Sequence, residues 1–210
     1  MKTFGLGMGL LLLSGCSGLI PKPSAQPTFH SLDRPAPASP APASTVARTA
    51  PLPLASAPTM IVNPPHAAAG YDSRHIIYFR KPYKLEHFAH HEWIDTPTRM
   101  LAPLIVAAIE HSGAFRAAVL TPSAAVGEMT LDTEILRLSQ DFSVQPSRVR
   151  FTLHASIVDS STRVVLGWRE FDASLAAPTD DPDGGVVAAN SAVQAVLDQL
   201  VTFCVEAAKK

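Results

Sequence analysis

Arg148-Val149-Arg150-Phe151-Thr152-Leu153-His154-Ala155-Ser156-Ile157, RVRFTLHASI, alternates polar and apolar side chains without a fault. Period two is the signature of an extended chain with one wet and one dry face. Val149, Phe151, Leu153, Ala155 and Ile157 face inward on this reading; Arg148, Arg150, Thr152, His154 and Ser156 face outward. Asp159-Ser160-Ser161-Thr162 is a polar turn, and Arg163 to Ala173 returns as the partner strand. Upstream, Met129, Leu131, Thr133 and Ile135 alternate in the same way. Leu136 and Leu138 then carry the pattern on one residue out of phase, which predicts a bulge. Three strands joined by short polar connections form an antiparallel meander.

Helices flank this meander. Thr96 and Pro97 are a capping residue and a first-turn proline. Leu101, Leu104, Ile105 and Ala108 then line one helical face, and Gly113 closes the element after Ser112. Asp180-Asp181-Pro182-Asp183-Gly184-Gly185 reads as a loop, its two glycines a flexible approach to the last helix. That helix carries Ala189, Val193, Val196, Leu197, Leu200 and Cys204 on one face, with Lys209 and Lys210 at its C-terminal end. Nearer the N-terminus, Met60-Ile61-Val62 begins a short strand that stops at Pro64-Pro65. His75 to Arg80 is a second strand, which Lys81-Pro82 turns into Tyr83-Lys84-Leu85-Glu86-His87-Phe88. The expected fold is α+β, a mostly antiparallel mixed sheet with two helices packed on one face.

The first 57 residues have a different character. Lys2 precedes an apolar run from Phe4 to Leu13, about ten residues, the length of a signal-peptide core and too short to cross a bilayer. The run leads into Leu13-Ser14-Gly15-Cys16, which resembles the lipobox of bacterial lipoproteins. The resemblance makes Cys16 the lipid attachment site and the mature N-terminus, and Ser17 an outer-membrane address. Acyl burial contributes about 0.8 kcal/mol per CH₂, so the several chains of a lipoprotein anchor hold it firmly. Roughly half of the 19 prolines fall between Ser17 and Pro58, in stretches such as RPAPASPAPAS from Arg34 to Ser44. Such a segment has little apolar surface to bury. The expected organisation is a signal peptide over 1–15, a disordered Pro/Ala/Ser-rich tether over 16–57 and a single domain over 58–210. With Cys16 lipidated, Cys204 has no partner and is expected to be a small core hydrophobe.

A formal net charge of −1 leaves no electrostatic footprint for nucleic acid. The one stretch rich in metal-ligating side chains is EHFAHHEWIDTP, Glu86 to Pro97. If it is extended, His87 and His91 share a face but lie about 13 Å apart, and His90 points the other way. Zinc needs ligand atoms about 2.0–2.1 Å from one ion, so the three close around a metal only on a helix. No HExxH, phosphate-binding glycine loop or nucleophile elbow occurs. The expectation is no metal, no cofactor and no enzyme activity. A metal-binding envelope protein using His87, His90 and His91, or a lipid-binding carrier, are the alternatives.

YFRKPYKLEHFAHHEWIDTPTRMLAPLIVAAIEHSGAF, Tyr78 to Phe115, resembles the central motif of the ABC-type transport auxiliary lipoproteins, the PqiC-like group. Tyr83, Leu85, Phe88, Ala89, Trp93, Pro97 and Leu101 stand at the motif's places, and Val149 to Phe171 resembles the family's paired strands. The resemblance implies a non-catalytic, periplasm-facing lipoprotein that works beside an ABC ATPase, a permease and an MCE-domain protein in moving lipids between membranes. It leaves homo-oligomerisation open. Tyr83, Phe88 and Trp93 are the candidate partner-binding residues, each weighed against a packing role. Arg148, Arg150 and Arg163 read as a solvated sheet face.

Overall fold

The structure, a computed structural model, describes residues 26–33 and 56–209. The signal peptide over 1–15, Cys16 and most of the tether lie outside the described residues. The elements run β1 (Thr28–His30), β2 (Thr59–Val62), β3 (His66–Ala67), β4 (His75–Lys81), β5 (Lys84–Trp93), α1 (Pro97–His111), β6 (Ala117–Leu120), β7 (Met129–Asp141), β8 (Arg148–Asp159), β9 (Val165–Ala176) and α2 (Pro182–Ala207).

β7 is the spine. Its 13 residues are long enough for one edge to serve three strands in turn. β2 pairs with its start, β3 with its middle and β4 with its end, all parallel. The other edge carries the antiparallel meander β7–β8–β9. Beyond β2 lies β6, and beyond β4 lie β5 and then β1, giving nine strands. The long ladders are antiparallel and the parallel ones short, as expected of a mostly antiparallel mixed sheet. The bulge also falls where the phase slips, between Ile135 and Arg137.

The inward set on β8 is buried throughout, from Val149 to Ile157. α2 packs across β8 and β9 on this face, with α1 beside it. Phe171 of β9 meets Phe203 of α2 edge-to-face at 5.8 Å. By length and composition α2 could span a bilayer, but its apolar stripe from Ala188 to Cys204 faces this sheet instead. Cys204 is fully buried, and burial pushes its thiol pKa up to about 12. α1 starts at Thr96–Pro97 as expected, though the Thr96 side chain makes no capping hydrogen bond. Gly113 closes it with φ +67°, a left-handed conformation that glycine adopts without a Cβ penalty.

Three expectations need correction. Pro182 to Gly185 is the first turn of α2, not a loop: Asp181 caps it by accepting from the Gly184 N–H at 2.7 Å. The glycines are there for close approach. A Cβ on Gly185 would lie 2.1 Å from Oε1 of the buried Gln140, and one on Gly184 would lie 2.2 Å from the Thr179 carbonyl oxygen. Gln140 in turn donates to Ser147 at 2.9 Å and to the Asp181 carbonyl at 3.2 Å, tying β7 to the start of α2. The tether is not free along its whole length either. Thr28–His30 pairs in parallel with His91 to Trp93, and Leu32 enters the core. Thirdly, Thr152 is buried although its phase points outward, because it donates to Asp172 at 2.6 Å across the β8–β9 ladder.

Candidate docking surface

β4 and β5 form a hairpin whose last pair is Lys81 with Lys84, leaving Pro82-Tyr83 as a two-residue tip. Proline at the first central position and a positive φ at the second is a type II arrangement. Glycine or asparagine normally takes that second place; here it is Tyr83 at φ +64°. The conformation costs a residue with a Cβ about 1–2 kcal/mol. No packing offsets it, since the Tyr83 side chain is fully exposed. Leu85, on the same hairpin, is half exposed.

Below the tip the hairpin is held by charge and by aromatic packing. Glu86 accepts from both Arg80 and Lys84, the latter at 3.1 Å. The Arg80 guanidinium foremost, then the Lys84 ammonium, holds the Glu86 carboxyl at about 2. The Arg80 guanidinium also lies over the Tyr78 ring, 5.5 Å from its centroid. Tyr78 packs on Phe88 at 4.4 Å, and Phe142 closes on both edge-to-face at 5.6 and 6.2 Å. Phe88 is therefore a half-buried member of a cluster that seats the hairpin on the end of β7. Trp93 is 2 % exposed and belongs to the core. Of the three candidate partner-binding residues, Trp93 is thus withdrawn from the surface, Phe88 supports it, and Tyr83 alone stands free.

A second exposed aromatic lies on the outer face of the meander. Trp168 of β9 is 68 % exposed and stacks on His154 of β8 at 5.9 Å. Around it Arg150 pairs with Asp172 at 2.7 Å, and Arg148 bonds Ser174 at 3.1 Å. An aromatic at strand spacing reads as core; here α2 covers the other face of the meander and Trp168 is left outside.

The histidines of β5 do not converge. The strand is extended, and its rings find partners on different neighbours: His87 stacks on His75 of β4 at 4.1 Å, and His91 on His30 of β1 at 5.2 Å. His87, His90 and His91 therefore share no common centre. Two open clefts border α2, one of about 240 Å³ shared with α1 and one of about 450 Å³ shared with β1; Asp33 and Asn190 line both.

The family model described as ABC-type transport auxiliary lipoprotein component matches residues 38–201. Protein XCC0632 from Xanthomonas campestris, assigned to the DUF330 family model, is similar in structure: TM-score 0.66 at 23% identity, covering 75% of this chain and 91% of that one. The hypothetical protein CT253 from Chlamydia trachomatis follows the same fold, with TM-score 0.50, 10% identity and coverage of 71% and 96%. Among curated proteins, none matches the sequence.

Proposed function

The chain belongs to the ABC-type transport auxiliary lipoprotein family, and on that premise we propose that it is a non-catalytic adaptor of an MCE-type envelope transporter. Lipidated at Cys16 and held on the periplasmic side of the outer membrane, it docks through the β4–β5 hairpin tip onto the MCE-domain protein. That protein works with the permease and ATPase to move lipids between membranes. The observation that supports this reading most is Tyr83. A bulky aromatic is kept in a strained left-handed turn with no intramolecular contact to reward it. Strain of this kind persists where function requires the side chain to be presented. Exposed tyrosines supply rigid contact area at low entropic cost. Flanking Lys81 and Lys84 give the tip a local positive charge that suits an acidic partner surface. A carrier role draws no support from the two clefts, which are open and partly polar.

A photo-crosslinking amino acid at position 83, in cells, tests this directly. The expected product is a covalent adduct with the MCE-domain protein. No adduct from 83, together with a strong adduct from position 168, would move the docking face to the outer surface of the meander. Incorporation of labelled palmitate, lost with release from the membrane in Cys16→Ala, tests the anchor separately.

A further inference from the structure

His30 and His91 come from segments 61 residues apart, yet their rings are stacked and His30 Nε2 lies 2.9 Å from His91 Nδ1. The His30 side chain is only 10 % exposed. Asp183, in the first turn of α2, brings a carboxylate oxygen to 3.9 Å from His30 Nε2. One ligand atom from each of the three lies within 4.8 Å of the other two. We propose that His30, His91 and Asp183 form a binding site for a late first-row divalent cation such as zinc, which clamps β1 to β5 and to the start of α2.

Tetrahedral zinc with bonds of about 2.0–2.1 Å sets its ligand atoms about 3.4 Å apart. Two of the three spacings, 2.9 and 3.9 Å, bracket that value and the third is within 4.8 Å, so side-chain shifts of up to about an ångström, chiefly of Asp183, complete the site. Two imidazoles and one carboxylate are a donor set that suits zinc and its neighbours. Burial holds His30 below the usual imidazole pKa, against the raising effect of Asp183, and so favours the neutral form that metals bind. In the metal-free pair one ring donates its N–H to the other. Binding needs that proton moved to the far nitrogen of the same ring, which leaves the net charge of the pair unchanged. The side of the ion away from the three ligands is left to water.

The clamp adds to the β1–β5 ladder and to the burial of Leu32. β1 is three residues long, and Asn190 adds two bonds to the chain just after it, accepting from the Asp33 N–H at 2.6 Å and donating to the Ser31 carbonyl at 3.2 Å. A metal bridging three separate segments fixes the point at which the N-terminal segment leaves the folded domain.

Zinc titration of the full-length protein, purified in detergent and stripped with chelator, is the test. One saturable zinc per chain is expected, with slower amide hydrogen exchange over 28–32 when zinc is bound. His30→Gln and His91→Gln should each weaken binding by more than about 100-fold, beyond what a supporting residue costs. His87→Gln and His90→Gln should bind as the unaltered chain does. Nitrogen-15 spectra of the unaltered chain give a readout that needs no variant: zinc should shift His30 Nε2 and His91 Nδ1. Absence of saturable binding overturns the proposal. So does zinc that shifts other histidines, or equal loss in His90→Gln.

Discussion

The β8–β9 and β4–β5 hairpins belong to one sheet but are built on different terms. β8–β9 keeps its register from Arg148–Ala176 to Ile157–Gly167, slipping only beside the turn. Its inner face is sealed by α2, and its turn is wired by one carboxylate. Asp159 accepts from the Ser161 and Thr162 backbone N–H groups at 2.9 and 2.7 Å and from both hydroxyls. β4–β5 slips register twice, ends in a strained tyrosine and rests on an exposed charge cluster. The first hairpin is determined by what it buries, the second by what it presents. Mutations should therefore separate stability from docking.

The largest effect is expected in the meander. Phe151→Ala empties a fully buried site under α2 and should cost about 3–5 kcal/mol in chemical denaturation, with no specific change in partner capture per folded molecule. Gly184→Ala comes next. Its Cβ would meet the Thr179 backbone as well as the Thr179 hydroxyl, and the backbone cannot swing aside, so a loss of about 1–3 kcal/mol is expected from the shift of α2's first turn. At the other hairpin the sign reverses. Tyr83→Gly should raise stability by about 1 kcal/mol as the left-handed strain is relieved, while crosslinking to the MCE-domain protein falls away. If Tyr83→Gly destabilises instead, the tip is a structural turn and the contrast between the two hairpins collapses.

The smallest effect is in the pH dependence. Asp159 is held at about 2, first by the Thr162 N–H and then by the Ser161 and Thr162 hydroxyls, and Glu86 is held at about 2 by Arg80 and Lys84. Both folded-state values lie below the ordinary carboxyl range. Their stabilising contributions are therefore complete above that range and are lost as pH falls toward about 2. Urea midpoints measured from pH 6 to pH 2 should fall. Asp159→Asn and Glu86→Gln should each flatten part of the slope, and carbon-13 titration of the two carboxyls would assign the shares.

The elements that were legible in the sequence are those whose neighbours in sequence are also their neighbours in space. The β7–β8–β9 meander, its bulge at Ile135 to Arg137 and the two amphipathic helices each repeat with their own period over ten or more residues. β3 and β6, of two and four residues, are too short to show a period, and both pair with strands distant in sequence. β1 was hidden inside a proline-rich segment for the same reason, since its partner His91 lies 61 residues away. Gly184-Gly185 read as a flexible approach because the chain alone does not reveal Gln140 waiting beneath it.

Periodicity, capping signals and the N-terminal segment were enough by themselves to determine the fold class, the helices and the expectation of a lipid anchor, because those follow from local spacing and composition. Which tryptophan is core and which is surface was decided only in three dimensions. Trp93 and Trp168 both sit in strands, and burial depends on where α2 comes to rest. The same holds for the histidines: a run of three in β5 disperses along an extended strand, and one of them finds its partners on β1 and α2 instead. Contacts between segments far apart in the chain leave no periodic trace in it, so they exist only once the sheet has closed.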